Sequence, residues 1–125
     1  MATSTEDRKR AETQGRGAES RAAFWLRLKG YRIIARRART PAGEIDLIAA
    51  KGRTLVFIEV KARASLNAGR HALTPRQQAR ITRAAEAFVR TRPDLAGLDW
   101  RFDLIALGRG WRFSHLKDAW RPGLP

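Results

Sequence analysis

Two apolar runs separated by three turn residues constrain this chain more than any other feature. Gly43-Glu44-Ile45-Asp46-Leu47-Ile48-Ala49-Ala50 and Thr54-Leu55-Val56-Phe57-Ile58-Glu59-Val60-Lys61 flank Lys51-Gly52-Arg53, the pattern of a β-hairpin. Side chains alternate along a strand, so Val56, Ile58 and Val60 face one side while Leu55, Phe57, Glu59 and Lys61 face the other. Both sides are mostly apolar, which predicts a central strand covered on both faces. A carboxylate set in such a run must be paired or must coordinate a metal, because an isolated buried charge is costly.

The rest of the chain supplies the covering layers. From Gly17 the pattern is helical, with Ala22, Ala23, Leu26 and their neighbours Phe24, Trp25 and Leu28 predicted as a broad apolar stripe and Gly30 as the stop. Tyr31 to Ala35 reads as a short strand, and Thr40-Pro41-Ala42-Gly43 as a turn. After a polar loop from Arg63 to Leu73, Thr74 caps and Pro75 opens a second helix, which turns Gln77, Ile81, Ala84, Ala85 and Phe88 inward. Trp100–Leu107 and Trp111–Leu116 read as two further strands. The predicted class is α/β, with α-β-β-β-α-β-β order and a mixed central sheet flanked by helices. A right-handed crossover through the second helix makes the Glu59 and Trp100 strands parallel. Residues 1–16 are polar and aperiodic, the composition of a disordered basic arm, which leaves 17–125 as a single domain.

Charge and residue usage narrow the function. Lys and Arg total 26 against 12 Asp and Glu, a formal net charge of +14, which favours a polyanionic partner such as nucleic acid. No apolar run approaches the roughly 18–20 residues of a membrane span, and the N-terminus lacks the apolar core of a signal peptide, so a cytoplasmic protein is expected. The absence of cysteine excludes disulfides, a thiolate nucleophile and zinc–thiolate chemistry.

Asp46 and Glu59 can each lend an oxygen to Mg²⁺ or Mn²⁺, and Glu44, on the Asp46 face, is a further ligand or water-holding acid. Lys61 shares the Glu59 face, where an ammonium can orient an attacking water and offset charge on a phosphate. Ion-pair decoration of a sheet is the competing reading of the same spacing. Arg36, Arg37 and Arg39 beside the site strands, and Arg76 and Arg80 on the second helix, are candidate phosphate contacts, with a solvated arginine face as the alternative. Trp25, Trp100, Trp111 and Trp120 are assigned to core packing or an interface rather than to base stacking, and Asp103 to a structural hydrogen-bond acceptor.

Glu19 in the first helix, Gly43-Glu44-Ile45-Asp46-Leu47-Ile48-Ala49, Phe57-Ile58-Glu59-Val60-Lys61 with Arg63 after it, and Arg101-Phe102-Asp103 together resemble the YraN-like family of uncharacterised bacterial endonuclease-like proteins. That family looks related to archaeal Holliday junction resolvases within the PD-(D/E)xK, or restriction-endonuclease-like, superfamily. The resemblance covers about Gly15 to Trp120. It implies a restriction-endonuclease-like core with Asp46 as the motif aspartate, Glu59 and Lys61 as the (D/E)xK pair, and Glu19 as an acid delivered from the first helix. It further implies Gln77 at a second-helix position where many relatives carry Lys, and Arg63 among the nucleic-acid contacts. The implied activity is Mg²⁺- or Mn²⁺-dependent hydrolysis of DNA phosphodiesters, branched or structured DNA included, by a chain that pairs as a homodimer in the manner of resolvases. Gln77, and Arg37 where an Asn is frequent, keep open an inactive nucleic-acid-binding module with the same fold. Nothing in the residues separates DNA from RNA as the substrate.

Overall fold

A computed structural model describes residues 5–63, 73–110 and 112–122, with side chains from Gly17 onward. The elements follow the predicted order: α1 (Thr5–Leu28), β1 (Arg32–Thr40), β2 (Gly43–Lys51), β3 (Thr54–Ala62), α2 (Pro75–Arg90), a 3-10 turn (Pro93–Leu95), β4 (Asp99–Leu107) and β5 (Phe113–Trp120). The five strands form one sheet in the order β1-β2-β3-β4-β5. β3 and β4 run parallel in register from Thr54↔Asp99 to Ala62↔Leu107, and the other neighbouring pairs are antiparallel. This is a mixed α/β fold consistent with a restriction-endonuclease-like core. The loop predicted from Arg63 to Leu73 lies outside the described residues except at its two ends, and Trp111 lies outside them too.

β3 occupies the middle because it is apolar on both sides. Leu55 and Phe57 pack with Ile48, Phe102, Trp120 and the inward stripe Ile81, Ala84 and Ala85 of α2. Val56 and Ile58 pack with Leu47, Ala49, Ile105 and the α1 residues Ala18, Ala22, Ala23 and Leu26. Each face of the sheet thus carries one helix.

α1 begins at Thr5, well before Gly17, so helix occupies most of the stretch assigned to an arm. Extending a helix already nucleated by packing costs little per residue. Its stop is as expected: Gly30 at φ +91 allows the Gly30 N–H to reach the Arg27 carbonyl and the Tyr31 N–H to reach that of Leu26, at 3.0 and 2.9 Å. That pairing is a Schellman motif, with Leu26 and Tyr31 meeting in the same apolar cluster. The predicted stripe is corrected in one respect. Ala18, Ala22 and Leu26 are buried, but Phe24, Trp25 and Leu28 are exposed. Only a narrow arc of a helix meets a sheet, and Phe24 lies about 200° from Ala22 around the axis.

α2 opens on a capping box in which Thr74 Oγ1 accepts from the Gln77 N–H at 3.2 Å and Gln77 Oε1 accepts from the Thr74 N–H at 3.0 Å. β1 and β5 are longer than expected because each absorbs an irregularity. β1 carries an extra residue at Ile34, between the Ile33↔Ala49 and Ala35↔Ile48 pairs. β5 bulges opposite β4 between Phe102↔Trp120 and Leu104↔Leu116, with Asp118 at φ +56.

Candidate active site

The acids gather where β2 leaves β3. Pairing of these strands runs from Lys51↔Thr54 to Leu47↔Ile58 and stops, while β2 continues beside β1 to Gly43 and β3 continues beside β4 to Ala62. In the gap, Asp46 Oδ2 accepts the Val60 N–H at 2.8 Å, so a side chain satisfies a backbone donor that the departing strand no longer reaches. Glu59 is 9% exposed, and its Oε1 lies 3.2 Å from Lys61 Nζ on the same side of β3. The alternation read from the sequence is therefore realised.

Burial, followed by the charge of Asp46, pushes the Glu59 carboxyl up to about 7, with Lys61 opposing. Asp46 is also raised by burial, against the Val60 N–H, Glu59 and Lys61, which favour its charge. The two side chains are near enough for each to shift the other's protonation. Two neighbouring carboxyls, one buried and one half-buried, cannot both ionise cheaply unless cationic charge is brought to them. Lys61 supplies one positive charge.

Glu19 enters from α1 and is buried; burial and the nearby Asp46 raise its carboxyl, while Arg37 opposes. Arg37 Nε lies 3.3 Å from Glu44 Oε1 and 3.8 Å from Glu19 Oε1, so this guanidinium joins the α1 acid to the β2 acid. Its backbone sits at φ +50, an uncommon conformation for a side-chain-bearing residue. Arg37, a candidate phosphate contact by sequence, thus also organises the acids. Glu44 is engaged by Arg37 and by Arg39 at 3.7 Å, rather than by Asp46 or Glu59.

The remaining candidates scatter around this centre. Gln77 spends its backbone N–H and its side-chain oxygen on the cap of α2. Arg80 lays its stem over Gly43, where a Cβ would come within 3.2 Å of Arg80 Cγ; glycine at φ +145 admits this approach. Arg36 donates to Ser20 Oγ at 2.6 Å, tying β1 to α1. Arg39, Arg63 and Arg76 are exposed. Among the described residues, no group of three or more His, Asp or Glu side chains is assembled to hold a metal. Two carboxylates nevertheless suit Mg²⁺, which keeps several waters and takes few protein ligands.

A second charged cluster forms around Asp103, the residue assigned to a structural hydrogen-bond acceptor, although its partners were not foreseen. Asp103, fully buried, accepts from Arg101 Nε and Nη2 at 2.8 Å each, from the Asp118 N–H at 3.0 Å and from His115 Nε2 at 2.7 Å. Arg101 also donates to the Tyr31 hydroxyl at 2.7 Å. Burial works against the Asp103 charge, but the bonds from His115, Arg101 and Asp118 outweigh it and hold the carboxyl below the usual range. Asp103 thus satisfies the backbone freed by the β5 bulge. The one available signal was Arg101 and Asp103 on a single face of an apolar strand.

The model of the uncharacterised protein family UPF0102 matches residues 18–107, which contain α1 from Ala18, both acid-bearing strands and β4. The chain belongs to UPF0102. A UPF0102 protein of Maricaulis maris is 49% identical over 119 residues, covering 95% of this chain and 94% of its own. UPF0102 proteins of Parvibaculum lavamentivorans and of a Bradyrhizobium species are 52% and 54% identical, covering 86% and 94% of this chain and 81% and 83% of theirs. This is the YraN family that the motifs resemble. No helix among the described residues of this UPF0102 chain is long and apolar enough to cross a membrane.

One expected result concerns the cation-free protein. Glu59 binds a proton in the folded state up to about pH 7 but, at its ordinary value of 4.5, releases it when unfolded. Between these values the folded state holds more protons, so stability rises as pH falls from about 7 towards 4.5. Thermal unfolding in chelator-treated buffer should show that slope, and Glu59→Gln should flatten it. An unchanged slope in the variant contradicts the assignment.

Proposed function

We propose that this protein is a divalent-cation-dependent endonuclease that hydrolyses phosphodiester bonds in DNA, structured or branched DNA included. The observation that carries this reading is the pairing of half-buried Asp46 with buried Glu59, with Lys61 against Glu59, at the point where two central strands part. Neighbouring charged acids withdrawn from water are destabilising unless a cation joins them, so their placement in an otherwise apolar sheet supports a binding role. Asp46 and Glu59 would hold Mg²⁺ or Mn²⁺, which would supply Lewis-acid activation of water and neutralisation of the phosphate.

The chain's own groups account for the rest. Lys61 orients the attacking water and offsets charge developing on the scissile phosphate. Arg37 fixes Glu19 and Glu44 around the acid pair. The exposed guanidiniums of Arg39, Arg63 and Arg76, within a chain of net charge +14, attract and seat the phosphate backbone.

A second reading, a nucleic-acid-binding module without catalysis, is favoured by one observation: Gln77 is occupied by its helix cap, and no lysine stands in its place. Incubation of purified protein with Mg²⁺ and branched, duplex and single-stranded DNA, with RNA counterparts alongside, separates the readings. Cation-dependent cleavage of DNA supports the nuclease. Salt-sensitive binding indifferent to the cation, with no product, supports the module, and cleavage confined to RNA reassigns the substrate.

A further inference from the structure

The outward side of α1 carries bulky apolar side chains for which neither the core nor the acid pair has a use. Phe24 and Leu28 are 63% and 65% exposed, and Trp25 is 39% exposed. Successive turns of one helix bring Ser20, Phe24 and Leu28 into a row at i, i+4 and i+8. The row borders a groove of about 570 Å³ whose other wall is Leu107, Gly110, Arg112 and Phe113 at the β4–β5 turn. Trp25 packs on Phe113 with ring centroids 4.7 Å apart, which fixes the floor.

The rim is basic. Arg21 and Arg112 line the groove, Lys29 Nζ sits 5.2 Å from the Trp25 ring centre, and no carboxylate lines it among the described residues. A second copy of a chain with net charge +14 would bring one basic rim against another, which opposes self-association through this face. A nucleic acid satisfies the charge, but the Trp25 ring on which a base would stack is already engaged by Phe113 and Lys29, and the aliphatic Leu28 and Leu107 offer base edges no hydrogen-bond partner. An acidic peptide carrying bulky apolar residues meets both demands. Its side chains fill an apolar groove that runs along a helix, and its carboxylates meet the arginine and lysine rim. The groove's size suits a short segment of a few large side chains.

We infer that this face of α1 is a docking site for an acidic, hydrophobic segment of a partner protein. The site is separate from the acid pair and does not depend on nuclease activity. The test is fluorescence anisotropy of a labelled short peptide rich in Asp and Phe, titrated with the full chain at low and moderate salt. The peptide is expected to bind with salt-sensitive affinity, and an Asn-for-Asp version to bind about ten-fold or more weakly, a loss of about 1.4 kcal/mol or more. Phe24→Glu and Leu28→Glu should each abolish binding. Both positions are exposed, and an unchanged circular dichroism spectrum would confirm that the fold survives. Absent binding, or binding indifferent to these variants, overturns the proposal. So does a wild-type dimer that Phe24→Glu converts to monomer, or single-stranded DNA whose affinity falls more than the peptide's in Phe24→Glu.

Discussion

Lys61→Ala is expected to lower the rate of Mg²⁺-dependent DNA cleavage by roughly 10²–10⁴-fold while preserving the fold. The ammonium lies 3.2 Å from Glu59, beside the acids rather than in the core, so truncation removes a charge without opening the apolar layers. The carboxyls it leaves behind retain their capacity for a cation. Asp46→Asn is the complementary case. Its amide oxygen still accepts the Val60 N–H at the strand gap, but the charge is gone, so cation binding and rate should fall together. Single-turnover cleavage at saturating protein reads the rate, and cation titration of the same samples reads the site. Wild-type rates in either variant contradict the assigned roles.

Asp103→Ala should be the most destabilising single change away from the acid pair. It leaves Arg101, His115 and the Asp118 N–H without their shared acceptor in a fully buried location. Breaking a buried pair by removing one partner costs about 3–5 kcal/mol, a large part of the roughly 5–15 kcal/mol that holds a domain together. The melting temperature should fall by on the order of 10–20 °C. The pH dependence carries an opposite sign from that of Glu59. Asp103 is depressed in the folded state, so its contribution is present above the ordinary value of 3.8 and is lost as pH falls through the folded value. Asp94, exposed and paired with Arg92, is the control, and Asp94→Ala should melt with the wild type. Equal melting of the Asp103 and Asp94 variants contradicts this account.

Much of the site was legible because strand periodicity converts sequence directly into faces. Val56, Ile58, Leu55 and Phe57 divide as alternation requires, and Glu59 meets Lys61 for the same reason. Gly30, Thr74 and Pro75 marked helix ends through local backbone chemistry, which needs no tertiary information. Helix faces were less legible. Phe24 and Leu28 are apolar enough for a core, and only the position of α1 over the sheet decides that Ala18, Ala22 and Leu26 turn inward instead.

Long-range polar partners were the least legible. Arg37 read as one more phosphate contact, and no local pattern shows that a backbone at φ +50 also brings it to Glu19 and Glu44. Gln77 sat on the inward stripe, but its side chain closes a turn three residues back. The Asp103 cluster depends on a bulge in β5 that no local pattern announces.

The central claim is that Asp46 and Glu59 form a cation site. Calorimetric titration of the chelator-treated protein with Mn²⁺ tests it without reference to substrate. Saturable binding by the wild type, abolished in Glu59→Gln and retained in Lys61→Ala, is the predicted result. No saturable binding by the wild type, or equal binding by Glu59→Gln, would contradict it.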